Sequence, residues 1–94
     1  MLVIRNVFRC KPGQAKNLVA KFKEGLAAME DSSTRLLVDV SADFWTVVVE
    51  NNVESFESWE KFMEERGGRP EVQKAMEGYM DLVEGGYREI FRVE

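Results

Sequence analysis

The chain has 94 residues and a mass of 10.8 kDa, which is room for one domain that spans residues 1–94. Hydrophobic residues make up 45% and charged residues 32% of the chain, a balance that excludes a disordered or collagen-like protein. The single cysteine, Cys10, excludes an internal disulfide and is typical of the reducing cytoplasm. No apolar run reaches the roughly 18 residues of a membrane span, and no secretory signal opens the chain. We therefore expect a cytoplasmic protein with no membrane partner.

The charges exclude further classes of function. The net charge is −4, and no window of the chain is basic enough to neutralise a phosphate backbone, so we expect no nucleic-acid partner. The chain has no histidine. This absence removes Ser-His-Asp and Cys-His nucleophile systems, histidine-ligated zinc and a proximal histidine for haem. We expect neither a metal nor any other cofactor.

The first two predicted elements are a strand and a helix. Residues 2–9 are rich in β-branched and aromatic side chains, which predicts a strand. Lys11-Pro12-Gly13 is predicted to end that strand and to open a helix, because proline is tolerated at a first helical position. From Gln14 to about Glu30, apolar residues recur at helical spacing. These residues are Ala15, Leu18, Val19, Phe22, Leu26 and Met29.

The middle of the chain predicts a hairpin followed by a helix. Two short runs, Thr34 to Val40 and Phe44 to Glu50, are separated by three turn residues and predict paired antiparallel strands. Asn51-Asn52 is predicted to cap the second helix, and Gly67-Gly68 to end it. The apolar side of this helix is predicted to comprise Phe56, Trp59, Phe62 and Met63.

The last part of the chain predicts a third helix and a fourth strand. Pro70 is predicted to start a helix whose apolar positions run to Val83, and Gly85-Gly86 is predicted to end it. Residues 87–93 then form the last strand. The resulting order is β-α-β-β-α-α-β, the pattern of a ferredoxin-like split βαβ fold of the α+β class, with helices on one face of a four-stranded antiparallel sheet.

Both faces of this sheet carry apolar residues. In the first strand, Leu2, Ile4 and Phe8 point one way, while Val3 and Val7 point the other. A sheet with one solvated face should alternate more cleanly than this. Because 94 residues leave nothing to cover the second face, we predict a homodimer that packs through its sheet faces.

Three short motifs carry a resemblance to a known family. They are Lys11-Pro12-Gly13 after the opening strand, residues 56–60 (FESWE) in the second helix, and residues 69–73 (RPEVQ) before the third. With these motifs and its order of elements, the chain resembles the dimeric α/β-barrel superfamily, and within it the antibiotic biosynthesis monooxygenase (ABM)-type domains, over essentially all of its length. The superfamily includes cofactor-independent oxygenases of quinol-like substrates, haem-degrading oxygenases, isomerases and proteins with no established activity.

The resemblance also implies which residues form a site. Haem-degrading members use an asparagine, a tryptophan and a histidine, whose positions here are taken by Asn6, Trp59 and Met76. Because a lone thioether is a weak replacement for the proximal imidazole, haem degradation is disfavoured. Asn6, Trp59 and Tyr79 are the predicted catalytic residues. The predicted substrate-binding residues are Phe8, Met63 and Met76.

Each of these residues has a simpler structural explanation. The Asn6 amide could be buried and satisfied by neighbouring backbone instead of binding a substrate oxygen. Trp59 and Tyr79 could be core aromatics. Arg88 and Arg92, which flank Ile90 on one strand face, could clamp an anionic substrate, but ion pairs between subunits are the favoured interpretation. We interpret Trp45 as an interface aromatic residue and the acidic run from Glu54 to Glu65 as a solvated helix face.

Two functions of different classes remain open. One is a cofactor-independent monooxygenase of a small aromatic or quinol-like molecule, in which the protein orients the substrate and stabilises its anion. The other is a non-catalytic dimer that binds a small apolar ligand or a protein partner. We predict a small cavity on the helix side of the sheet, bordered by Asn6, Trp59 and Met76. An open cavity at Asn6 favours the enzyme, whereas a solid core favours the non-catalytic dimer.

Overall fold

A four-stranded antiparallel sheet carries all the helices on one of its faces. The computed structural model describes the whole chain, Met1–Glu94. The strands are β1 (Leu2–Cys10), β2 (Arg35–Val38), β3 (Thr46–Val53) and β4 (Val83–Arg92), in the spatial order β2-β3-β1-β4. The helices are α1 (Ala15–Ala28), α2 (Phe56–Gly67) and α3 (Pro70–Ala75), followed by one 3₁₀ turn at Tyr79–Leu82. The predicted order of elements and the ferredoxin-like arrangement are confirmed.

The core lies between α1 and the two central strands. Leu18 of α1, Cys10 of β1 and Val47 of β3 are almost fully buried against one another, and Phe8 stacks beside Phe22 with 5.3 Å between ring centroids. Only nine of the 94 residues are buried, so the chain as a monomer has a small core for its length. None of the helices combines the length and the apolarity that crossing a bilayer requires.

The start of α1 differs from the prediction. Pro12 lies in a turn, and Gly13 has φ = 78°, a left-handed conformation that glycine adopts without steric cost. The helix therefore begins at Ala15 and not at the proline. The C-terminal end of α1 is bonded to α2, because Arg66 of α2 donates to the carbonyl oxygen of Met29 over 3.1 Å. Cationic donors at the last carbonyls of a helix complement its dipole.

The junction of β3 and α2 also corrects the prediction. Asn51-Asn52 does not cap a helix but extends β3, where the two residues pair with β1. The cap is Ser55, whose Oγ accepts from the Ser58 backbone N–H over 3.0 Å, while Ser58 Oγ accepts from the Ser55 N–H over 3.2 Å. These two reciprocal hydrogen bonds form a capping box, which satisfies backbone N–H groups at the start of the helix. The predicted asparagine cap is therefore not needed. The strands of the predicted hairpin shift accordingly, to Arg35–Val38 and Thr46–Val53.

The predicted third helix is split, and the last strand is longer than predicted. The helix stops at Ala75, and Gly78 turns the chain with φ = 77° before the 3₁₀ turn. Gly85-Gly86 does not end a helix but lies inside β4. A Cβ atom on Gly86 would lie 2.2 Å from the Val7 carbonyl oxygen, so glycine is required there by close approach of the two strands.

The strand register defines two faces of the sheet. The predicted alternation in β1 is confirmed, because Phe8 pairs with Val47 on the helix side and Val7 pairs with Val48 on the other side. We call the side without helices the open face. Two aromatic side chains of β4, Tyr87 and Phe91, are 62% and 50% exposed there, although the predicted homodimer would cover them.

Candidate functional site

Asn6 and Arg88 form a solvent-accessible polar pair on the helix side of the sheet. The two residues are directly opposite each other in the β1–β4 register. Arg88 Nε donates a hydrogen bond of 2.6 Å to Asn6 Oδ1. The Asn6 amide is therefore bonded to a cationic side chain. The simpler structural explanation, a buried amide bonded to neighbouring backbone, does not hold. The Nδ2 group of Asn6 makes no hydrogen bond within the chain and remains available as a donor.

Trp59 completes this group from the opposite layer. It lies on α2, and the guanidinium carbon of Arg88 is 4.9 Å from the centroid of its ring. Phe56, one turn earlier on α2, stacks on the same indole at 5.5 Å. The N-cap of α2 fixes the start of the helix near Trp59. The backbone N–H of Trp59 donates to the carbonyl oxygen of this cap residue, Ser55, over 3.2 Å. We call Asn6, Arg88 and Trp59 the donor cluster.

The electrostatics of the donor cluster are one-sided. No aspartate or glutamate comes within 4.0 Å of Arg88, because all the ion pairs of the chain are made by Arg5 and Arg35. Only Nε of the guanidinium is used, so its other N–H groups remain free donors. Free donors from Asn6 and Arg88 beside an aromatic ring are suited to a planar molecule that carries a negative oxygen.

A cavity of about 190 Å³ lies beside Trp59. Its walls are formed by Trp59 and Phe62 of α2, by the end of β3, and by polar residues, none of them titratable. The lining comprises Ser33, Asn51, Asn52, Val53, Ser58, Trp59 and Phe62. Of the three residues predicted to border a cavity, Trp59 alone lines this one. Its volume is comparable with cavities that hold a single benzene ring.

The other predicted site residues lie elsewhere. Tyr79 packs against Phe22, with ring centroids 6.4 Å apart, and Phe8 packs against the same ring at 5.3 Å. Met76 packs against Gly25 of α1, where an added Cβ would lie 3.2 Å from its Sδ, and Met63 is 41% exposed on α2. The structure thus brings Asn6 and Trp59 together and places Phe8 and Tyr79 around Phe22. The catalytic and substrate-binding roles of these residues remain predictions.

Two side chains have shifted pKa values. Burial raises the pKa of the Cys10 thiol, and the negative charge of Asp39 raises it further, so Cys10 is a protonated core residue. Asp31 is partly buried, which by itself raises its pKa, but hydrogen bonds from Thr34 and Ser33 outweigh burial and the net pKa lies below its usual value. Thr34 in turn accepts from the Asn51 side chain at the wall of the cavity.

Arg88 is the member of the donor cluster that the sequence did not place in the site. Ion pairs between subunits through the sheet faces require Arg88 on the open face, whereas its side chain lies on the helix side with Asn6. The available signal was its place on one strand face with Arg92 and Ile90. The missing information was the register between β1 and β4. This register pairs Asn6 with Arg88, 82 positions apart in the sequence.

Comparison with known proteins identifies the fold. No family model matches the sequence, and no curated protein matches it significantly. An uncharacterised NIPSNAP domain protein from Burkholderia xenovorans superimposes with a TM-score of 0.83 at 17% identity, covering 100% of this chain and 95% of that one. A NIPSNAP family protein from Agrobacterium tumefaciens gives 0.83 at 13% identity, covering 97% and 90%.

ABM-type proteins share the same architecture. A candidate antibiotic biosynthesis monooxygenase from Chloroflexus aurantiacus superimposes with a TM-score of 0.67 at 20% identity, covering 96% of this chain and 89% of that one. The fold is thus the ferredoxin-like fold shared by ABM-type and NIPSNAP proteins, as the resemblance implied. At these identities the similarity defines the fold, and the activity has to be argued from the site itself.

Proposed function

We propose that the protein is a homodimeric, cofactor-independent monooxygenase of a small aromatic or quinol-like substrate, bound as its anion at the donor cluster. The observation that carries the proposal is that free donors of Asn6 and Arg88 converge beside the Trp59 ring, with no carboxylate to neutralise the arginine. The name of the Chloroflexus aurantiacus neighbour supports an oxygenase activity.

The proposed chemistry requires little from the protein. An ionised quinol is electron-rich and itself supplies electrons to molecular oxygen. The protein has to stack the ring, hold the negative oxygen and keep the reacting atoms in place. Trp59 supplies the stacking surface, Arg88 the positive charge, and Asn6 both orients Arg88 and offers its own N–H. The neighbouring cavity of about 190 Å³ provides room for a ring substituent.

The homodimer is supported by the distribution of apolar surface. Only nine residues are buried in the chain, while Tyr87 and Phe91 on the open face are 62% and 50% exposed. Covering this face with a second copy removes apolar surface from water and gives a small domain additional stability. A cytoplasmic location is part of the same proposal, because the single reduced thiol of Cys10 needs no oxidising compartment.

One observation favours a second function, a non-catalytic dimer that binds a small apolar ligand. The cavity beside Trp59 is lined by uncharged side chains and contains no group that could act as a general base. Such a cavity binds a ligand without transforming it. The two functions therefore differ in turnover and in the place of binding, which is the donor cluster for the oxygenase and the cavity beside Trp59 for the non-catalytic dimer.

Oxygen uptake and ligand binding distinguish the two functions. Substituted hydroquinones are added to the wild type and to Arg88→Leu, with oxygen consumption followed by electrode and binding by Trp59 fluorescence in a Trp45→Phe background. We expect kcat/KM to fall by about 100-fold in Arg88→Leu, the usual effect of losing one oxyanion donor. The matched control is Arg92→Leu, four residues further along β4 on the same face, which should retain activity.

The outcomes separate the proposals. Binding without oxygen uptake across the hydroquinones supports the non-catalytic dimer. Neither binding nor uptake contradicts both functions at this site. Equal losses in Arg88→Leu and Arg92→Leu contradict the specific role of Arg88.

A further inference from the structure

A row of four alternating charges crosses the open face of the sheet. Arg35 of β2, Glu50 of β3, Arg5 of β1 and Glu89 of β4 are consecutive partners in the strand register. Arg5 lies 3.2 Å from Glu50 and 3.5 Å from Glu89, and Arg35 lies 3.5 Å from Glu50. We call these residues the charge row. It is positive at the β2 edge and negative at the β4 edge.

Exposure varies along the charge row. The side chain of Glu50 is 16% exposed, those of Arg5 and Glu89 are 36% and 37% exposed, and that of Arg35 is 67% exposed. Glu50 has two arginine partners, but each terminal residue has only one. The two ends therefore have unused capacity to pair with charges outside the chain.

Apolar side chains form a parallel row, one register step from the charge row. Consecutive partners in this second row are Leu37, Val48, Val7 and Tyr87. On the other side of the charge row, Val3 pairs with Phe91. Asn52 of β3 pairs with Val3 in the same row. The charge row thus lies between an apolar stripe and a mixed stripe of Asn52, Val3 and Phe91.

A second copy can cover these stripes in two limiting ways, which differ in the direction of the two-fold axis. An axis that lies between the sheets and runs across the strands places every residue of the charge row opposite its own copy. It also exchanges the two flanking stripes. An axis that runs along the strands reverses the charge row. Arg35 then faces the partner copy of Glu89, Glu50 faces that of Arg5, and each flanking stripe faces itself.

Charge complementarity decides between these arrangements. Like charges placed opposite one another in an interface are strongly disfavoured, whereas the reversed row pairs every charge with an opposite one. Both axes keep the strand directions of the two sheets aligned, as is common in face-to-face packing, so the charges are what distinguish them. We propose that the charge row sets the orientation of the homodimer, with the two-fold axis along the strands and Arg35 of each copy paired with Glu89 of the other. This inference rests on the homodimer of the proposed function.

Single charge reversals test the pairing. Arg35→Glu gives a homodimer in which two glutamates face each other at both ends of the row, and Glu89→Arg gives one in which two arginines do. Each variant alone should dimerise at least about tenfold more weakly than the wild type in sedimentation equilibrium. An equimolar mixture of the two restores both end pairs and should form heterodimers with nearly wild-type affinity.

Further mixtures identify a wrong orientation. If the axis runs across the strands, Arg35→Glu mixed with wild type forms heterodimers more tightly than either chain alone, because position 35 then faces itself. That result overturns the proposal, as does a failure of the two reversed variants to associate preferentially with each other. Arg35→Gln and Glu89→Gln repeat the test if a reversal fails to fold by circular dichroism. Each of their homodimers lacks both end pairs, whereas their heterodimer keeps one Arg35–Glu89 pair and should form more tightly than either homodimer.

The proposed homodimer and its orientation fail in different ways. A monomeric wild type at micromolar concentration contradicts the homodimer itself. A dimeric wild type whose affinity is unaffected by either reversal leaves the homodimer in place and contradicts only the role of the charge row. The oxygen-uptake assay is independent of both, because the donor cluster lies on the opposite face of the sheet.

Discussion

At the scale of single residues, the contact between Asn6 and Arg88 links stability to the proposed chemistry. The same hydrogen bond that fixes the guanidinium leaves its remaining donors free, because an amide oxygen carries no charge to neutralise the arginine. A carboxylate in the same place would hold Arg88 equally well and would compete with an anionic ligand. The residue type at position 6 can therefore be used to separate folding from binding.

Asn6→Asp should keep or slightly raise the free energy of unfolding while abolishing binding of hydroquinone anions. The new ion pair replaces the hydrogen bond, but it removes the Nδ2 donor and neutralises the site. Urea denaturation and fluorescence titration measure the two effects. Asn6→Ala is the comparison, and should lower stability by less than about 1.5 kcal/mol. Retained anion binding in Asn6→Asp would contradict the donor cluster.

Asp31 should give a pH-dependent contribution to stability. Its folded pKa is lowered, so the contribution is fully present above the unfolded pKa and is lost as the pH falls through the folded value. Asp31→Asn should cost about 0.5–1 kcal/mol at pH 7, because solvent screens the interactions of this partly exposed carboxylate, and the cost should shrink below about pH 4. Denaturation at pH 7, 5 and 3 measures the difference, with Asp43→Asn in an exposed loop as the control. A cost that does not vary with pH would show that the charge is unimportant.

At the scale of elements, α1 ends in a strained conformation. Glu30 has φ = 56°, and the N–H of Asp31 bonds to the Leu26 carbonyl over 2.9 Å, as in a Schellman motif. Glycine is the usual residue at this position because a Cβ atom is strained there. The side chain of Glu30 makes no hydrogen bond that its removal would break.

Glu30→Gly should therefore raise the free energy of unfolding, by about 0.5–1 kcal/mol once the greater entropy of unfolded glycine is included. Thermal and urea denaturation measure it. Lys23→Gly, at an exposed position inside α1, should instead cost about 1 kcal/mol. If both substitutions destabilise the protein to the same extent, the strain at Glu30 is not significant.

The neighbouring glycines of β4 should respond differently to the same substitution. Gly86→Ala puts a methyl group 2.2 Å from the Val7 carbonyl oxygen and should lower the free energy of unfolding by about 2 kcal/mol or more. Gly85→Ala meets only the end of the Arg9 side chain at 3.5 Å and should change it by less than about 0.5 kcal/mol. Equal effects in urea denaturation would contradict the close approach of the two strands.

At the scale of the whole molecule, the two faces of the sheet carry different groups of residues. The helix side carries the core and the donor cluster, and the open face carries the stripes that a second copy can match. The flat shape of the chain, 35 × 34 × 19 Å, follows from a single sheet with one helical layer. Covering the open face would give the sheet a second layer.

The wild type should sediment at about twice the chain mass of 10.8 kDa at micromolar concentration. Tyr87→Lys places a charge in the apolar stripe and should shift the equilibrium toward monomer, because the ammonium group would have to be desolvated. Lys23→Ala on the exposed side of α1 should leave the mass unchanged. A folded wild-type monomer at this concentration would contradict the homodimer.

The sequence alone determined the kinds and order of the elements and the alternation within β1. Helical spacing and strand alternation are local patterns, set by a few neighbouring residues and by which side chains avoid water. Local signals were less reliable at the boundaries. Asn51-Asn52 and Gly85-Gly86 have the residue types of caps and stops, but strand pairing outweighed those preferences and placed both pairs in the sheet.

Only the tertiary structure decided which distant residues meet. Asn6 and Trp59 could be singled out from the sequence, but Arg88 joined them through the β1–β4 register, which is set by packing of the whole sheet. The same register aligned four separate charges into one row across the open face. Residue types follow from the chain itself, whereas their juxtaposition depends on long-range pairing that no local pattern contains.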